Sequence, residues 1–153
     1  MKSSVLVPAI GAALLCGCVS IRDRAPLAPA PVDKTVLVPG NHLYSAAVRH
    51  GDTIYLAGVI GRSETGDVRH ATRQAMDAVK TNIEKAGRGM ADLLKCTVFM
   101  TDIEQYGPMN EVYAEYFTGT APPARTAIAV SALPFGARVE VECIAAASSS
   151  QAE

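Results

Sequence analysis

Residues 93–117, LLKCTVFMTDIEQYGPMNEVYAEYF, decide the fold, because one short stretch changes from a strand pattern to a helix pattern. Leu93 to Met100 is an eight-residue run of apolar and β-branched side chains, the composition of a strand that packs inside a sheet. Thr101 and Asp102 then offer capping side chains, and Pro108 suits the first turn of a helix that runs to Phe117. Met109, Val112, Tyr113, Tyr116 and Phe117 recur at helical spacing and mark its inner face.

Working outward, the same alternation recurs. Upstream, Leu43 to Arg49 and Thr53 to Ala57 are β-prone runs joined by His50-Gly51-Asp52, which reads as a hairpin. From His70 to Lys85, apolar residues at 71, 75, 76, 79, 83 and 86 fall on one helical face, and Gly87 and Gly89 stop the helix. Downstream, Ala124 to Ser131 and Arg138 to Ala147 read as two closing strands. The expected order is ββαβαββ, an α+β domain with a mixed sheet and two helices on one face. Apolar residues on the other face also need burial, and association with further copies is the simplest cover.

The ends differ in composition from this domain. MKSSVLVPAIGAALLCGC has one Lys, an apolar run of about eleven residues and then small residues, the form of a secretory signal. Such a run is too short to stay as a membrane-spanning helix, which takes roughly 20 residues. Leu15-Cys16-Gly17-Cys18 resembles a lipobox, so residues 1–17 are expected to be removed and Cys18 to carry a lipid. A plain secretory peptide, or a start upstream of a cytosolic chain, are the alternatives. Residues 18–39 are rich in Pro and Ala and read as a linker, residues 40–147 as the domain, and 148–153 as a polar tail. Cell-envelope localisation follows, on the periplasmic side of the outer membrane, since Val19 after the Cys is not the Asp that holds lipoproteins at the inner membrane of enteric bacteria.

Charge and motifs narrow the function. The formal net charge is −1, with no basic excess of the kind nucleic-acid binding requires. There is no G-x-G-x-x-G, P-loop or G-x-S-x-G, and His42, His50 and His70 lack metal-ligand spacing, so neither a nucleotide cofactor nor a metal is expected. Cys96 and Cys143 lie in apolar runs and are expected as two buried thiols, since nothing in the sequence brings them together; a disulfide, open to a Cys pair in an oxidising compartment, is the alternative.

Three places carry candidate chemistry. Arg125, in Pro122-Pro123-Ala124-Arg125-Thr126, enters a strand after a rigid turn, where a guanidinium can grip a carboxylate through two hydrogen bonds. An exposed edge-strand Arg is the alternative. Glu140 and Glu142 alternate with Val139, Val141 and Cys143, so both carboxylates share one face. Either could activate water, or pair structurally with Arg138 or another subunit's Arg. Tyr44 and Asn110 are lesser candidates, as aromatic wall and polar positioner.

Together, YSAAVRHGDTIYLAGVIG, ATRQAMDAVKTNIEKAG, KCTVFMTDIEQYGPMNEVYAEYF and PPARTAIAVSALPFGARVEVECIA resemble the YjgF/RidA family over about residues 40–147. The resemblance implies a chorismate-mutase-like fold and a homotrimer whose sheets pack as a central barrel, with three clefts between subunits. It also implies hydrolysis, without a cofactor, of a reactive 2-imino or 2-enamino acid to a 2-oxo acid and ammonia. Arg125 would hold the substrate carboxylate and Glu140 the attacking water; Tyr44, Gly58 and Asn110 would line the cleft. A non-catalytic trimer that binds small carboxylates is the alternative, and the ribonuclease activity known in some members fits this acidic chain least. The chain departs from the common Ser-Gly-Gln-Ile-Pro at Ala57-Gly58-Val59-Ile60-Gly61, and has Ala127 where Cys or Ser is common.

Overall fold

The computed structural model describes residues 33–148. The signal segment, Cys18, the linker up to residue 32 and residues 149–153 of the tail lie outside the described residues. The strands are β1 (Lys34–Val38), β2 (Ala47–His50), β3 (Thr53–Leu56), β4 (Val59–Gly61), β5 (Leu93–Met100), β6 (Ala124–Ala129) and β7 (Val139–Ala146). The helices are α1 (Val68–Lys85) and α2 (Tyr106–Glu115). They make one mixed sheet in the order β1-β2-β3-β7-β5-β6, with β4 pairing beside β3 on β7. Only β5 and β6 run parallel among the described pairs, as a strand-helix-strand crossover through α2 requires.

The expected ββαβαββ core is present as β2, β3, α1, β5, α2, β6 and β7, with both helices packed on each other and α1 against the sheet. Two strands are additional. The sheet begins at Lys34 and not at residue 40: KTVLV, given above to the linker, pairs antiparallel with β2. β4 has only three residues, too few to show a period of two.

α1 starts at Val68, two residues before the expected His70, because the Asp67 side chain accepts a hydrogen bond from the Arg69 N–H at 2.9 Å and caps the helix. Its buried face holds Val68, Ala71, Thr72, Ala75, Met76, Val79 and Ile83. It ends in a Schellman arrangement, with the Arg88 N–H bonded to the Ile83 carbonyl, the Gly87 N–H bonded to the Glu84 carbonyl and Gly87 at φ +78. Gly61 brings β4 against α1: a Cβ there would lie 1.8 Å from the Ala71 carbonyl oxygen. A side chain at 61 would therefore force strand and helix apart.

β5 and β7 form the centre of the core. Cys96, Val98, Met100, Val139, Val141, Cys143 and Ala145 point toward the helices and are buried. The expectation of two separate thiols is corrected: Cys96 and Cys143 form a disulfide, with Cα atoms 4.2 Å apart. The antiparallel register sets them directly opposite each other on one face, which no local sequence signal reveals.

Candidate active site

Arg125 is the second residue of β6 and stands in register with Cys96 of β5, so its side chain points to the helix-covered side. There it meets α2. The guanidinium carbon lies 4.7 Å from the centre of the Tyr113 ring and 5.6 Å from that of Tyr106. One terminal N–H donates to the Tyr106 hydroxyl at 3.0 Å, and the other approaches the Met109 sulfur at 3.9 Å. Ring faces attract a cation, and these contacts hold the guanidinium without neutralising it. No carboxylate pairs with Arg125 among the described residues.

The cleft beside Arg125 has a volume of roughly 470 Å³ and is walled by Asn110, Tyr113, Ala114, Phe117, Pro122 and Pro123. Pro122-Pro123 supplies a stiff floor where the chain enters β6. The Asn110 Oδ1 and the Tyr113 hydroxyl are buried without a hydrogen-bond partner among the described residues. Burial raises the Tyr113 phenol to about 12, against a smaller lowering by Arg125, so the ring stays neutral and keeps its proton at any working pH. The cleft is therefore cationic at one point, with an apolar wall and two unspent polar atoms close by.

Glu140 lies elsewhere. In β7 it alternates with the buried Val139 and Val141 and so points to the sheet face away from the helices, as Glu142 does. It stands in register with Phe99 of β5 and Ile60 of β4. Its Oε1 covers Gly58, where a Cβ would come within 2.3 Å of that oxygen. Any side chain at 58 would displace the carboxylate. Neither Glu140 nor Glu142 forms an ion pair with Arg138 among the described residues.

The structure thus brings Arg125 and Asn110 into one cluster and Gly58 and Glu140 into another. Arg125 and Glu140 are three residues apart along the strands and two strand spacings apart across the sheet, about 14 Å between Cα atoms, on opposite faces. Tyr44 joins neither cluster. It sits in a turn between β1 and β2 where the Asn41 side chain accepts from the Leu43 and Tyr44 N–H groups, leaving Leu43 76% and Tyr44 54% exposed. Among the described residues no three His, Cys, Asp or Glu side chains gather as a metal site.

Residues 38–147 match the family described as Endoribonuclease L-PSP. The chain is a member of that family, the YjgF/RidA family. A RutC family protein from Pyrococcus horikoshii is 41% identical over 108 residues, which are 67% of this chain and 85% of that one. A protein named 2-iminobutanoate/2-iminopropanoate deaminase from Dermatophagoides farinae is 35% identical over 125 residues, 78% of this chain and 90% of the relative. Among solved structures, the YjgF gene product of E. coli superposes with a TM-score of 0.65 at 30% identity, covering 72% of this chain and 93% of that one. A Rid family protein of unknown function from Yersinia pestis gives 0.69 at 34% identity, covering 74% and 98%. The mixed sheet with two helices is thus the YjgF/RidA fold.

Sequence reasoning missed Tyr106 and the ring contacts of Arg125. The signal was available: positions 106, 110, 113 and 117 follow the helical spacing. Placing the helix start near Pro108 hid it, since α2 begins at Tyr106 with Pro108 inside its first turn.

Proposed function

We propose that this chain is an imine deaminase of the RidA type, which hydrolyses 2-imino or 2-enamino acids to 2-oxo acids and ammonia in clefts between the subunits of a homotrimer. The observation that carries the reading is Arg125, a guanidinium held between aromatic rings in an apolar cleft with no carboxylate of the protein to balance it. An anionic substrate group supplies that balance through two charge-assisted hydrogen bonds.

The reaction asks little more of the protein. Water adds to the imine carbon, a C–O bond forms, the C–N bond breaks, and nitrogen leaves as ammonia with protons from the water. Glu140, without a hydrogen-bond partner among the described residues, is suited to accept a proton from that water, and Gly58 gives its carboxylate room. Holding substrate and water in line supplies the remaining acceleration, and no cofactor enters. Since Arg125 and Glu140 point from opposite faces of one sheet, the reading requires Arg125 of one copy and Glu140 of the next to meet across a subunit boundary. The open sheet face, which carries Tyr55, Thr97, Phe99, Glu140, Glu142 and Ile144, is the surface available for that contact.

A second reading is a trimer that binds small carboxylates without turnover. Val59 and Ala127, apolar where the family commonly has polar groups, favour it, and a solved structural relative, E. coli TdcF, is described with bound serine. A ribonuclease role gains nothing from the helical surface, where Arg69 pairs with Glu111 and Arg73 with Glu115.

For the setting we propose the cell envelope, with a lipid on Cys18. The Cys96–Cys143 bridge supports an oxidising compartment, where disulfides persist. A Cys18→Ser chain that still fractionates with membranes would sink the anchor.

The function is tested by ammonia and 2-oxo acid release from imines made in situ by an amino-acid oxidase. The expected result is acceleration by the full chain and a loss in kcat/KM of at least about 150-fold in Arg125→Ala, the lower worth of two hydrogen bonds to a charged group. Equal rates with and without the protein over a panel of imino acids would leave the binding reading.

A further inference from the structure

We propose that Tyr106 is the positioning residue of this site: its hydroxyl fixes the plane in which Arg125 presents its N–H donors to the substrate carboxylate. The inference rests on the reading of Arg125 as the carboxylate-binding group and goes beyond it by naming what sets that group's orientation.

The geometry carries it. An Arg side chain rotates about several bonds, and a bidentate grip needs the planar fork turned toward the incoming carboxylate. Tyr113 lies over the guanidinium at 4.7 Å, which limits tilt but leaves the group free to turn in its own plane. A directional contact at the rim stops that turning. The Tyr106 hydroxyl, accepting from a terminal N–H at 3.0 Å, is the one oxygen bonded to Arg125 among the described residues. The contact to the Met109 sulfur at 3.9 Å is long and weak as an acceptor interaction. With these two N–H groups engaged, three of the five guanidinium donors remain for a ligand.

Burial does not explain Tyr106. The residue is 42% exposed and is not part of the hydrophobic core. What places it is the local fold. The Asp102 side chain accepts from the Glu104 N–H and shapes a single turn, Ile103–Gln105, from which α2 starts at Tyr106. Tyr106, Asn110 and Tyr113 then form one stripe of α2 beside Arg125, with Asn110 and Tyr113 walling the cleft and Tyr106 at the end where the hydroxyl reaches the guanidinium. A phenylalanine would serve the helix and the ring contact equally well. Only the hydroxyl makes the hydrogen bond.

The test uses the full chain and its Tyr106→Phe, Arg125→Lys and doubly substituted forms, with pyruvate as the binding probe and leucine-derived imine as the substrate. Tyr106→Phe is expected to raise the pyruvate Kd and the imine KM together by about five-fold, with kcat within two-fold and an unchanged melting temperature, because positioning of the carboxylate clamp acts on ground state and transition state alike. In the Arg125→Lys background, where no planar fork remains to be oriented, the same substitution is expected to change neither constant. An unchanged Kd and KM in Tyr106→Phe, or an equal five-fold effect in the Arg125→Lys background, would overturn the inference while leaving Arg125 in place. Arg125→Ala that still binds pyruvate and turns over imine at the parent rate would remove the underlying reading, and this inference with it.

Discussion

The two faces of the β5–β7 strand pair have little in common. Toward the helices stand Val98, Met100, Val139, Val141 and the Cys96–Cys143 bridge, all buried. On the other side stand Thr97, Phe99, Glu140, Glu142 and Ile144, partly or fully exposed. The first face is complete within one chain and serves stability. The second carries apolar and charged groups side by side and stays open in the single chain. The proposed chemistry divides along the same line, with Arg125 on the helix side and Glu140 on the open side.

The largest effect that would break this contrast is expected from Ile144→Asp. It puts a charge into the open face without touching the helix-side core. The chain should fold, yet sediment as a monomer and lose imine turnover. An assembly of unchanged size would show that the open face is not the contact surface. A step down, Met100→Ala removes a fully buried side chain and should cost roughly 2–5 kcal/mol in denaturant unfolding. Thr97→Ala, on the same strand as Met100 but on the opposite face, should cost no more than about 0.5 kcal/mol in the same measurement on the dissociated chain.

The smallest effect concerns alkaline pH. Burial raises Tyr113 to about 12, above its unfolded value near 10, and Tyr116 is raised further by burial and by its bond to Asp77. The folded chain therefore keeps protons that the unfolded chain releases. Stability from these groups is full below pH 10 and falls as pH rises toward 12. Tyr113→Phe should make that fall shallower, with Tyr116 still contributing, as read by the denaturant midpoint against pH. An identical slope in the variant would show that Tyr113 is not held neutral by burial.

The legibility of the fold followed the length and regularity of each element. β5 spans eight residues rich in apolar and β-branched side chains, and the structure gives it the bounds read from sequence. α1 repeats its apolar face over five turns and was missed only at its first two residues, where Asp67 caps. β1 escaped because Pro-rich flanks give residues 34–38 the composition of a linker, and its pairing with β2 is a tertiary fact. The disulfide escaped for a related reason: the register that opposes Cys96 to Cys143 joins residues 47 apart. Of the site, the shared face of Glu140 and Glu142 was legible from alternation. The face of Arg125 was not, since it depends on the parallel register of β6 with β5.

The claim that the site is shared between copies is tested most directly by mixing two inactive chains. Arg125→Ala and Glu140→Gln chains, carrying different tags and made in the same cell, would be purified as mixed assemblies through both tags and assayed for imine hydrolysis. The account predicts that mixed assemblies recover a substantial fraction of the parent activity, because some boundaries then join an intact Arg125 to an intact Glu140. Mixed assemblies no more active than the two variants alone would place both residues' work within a single chain and contradict it.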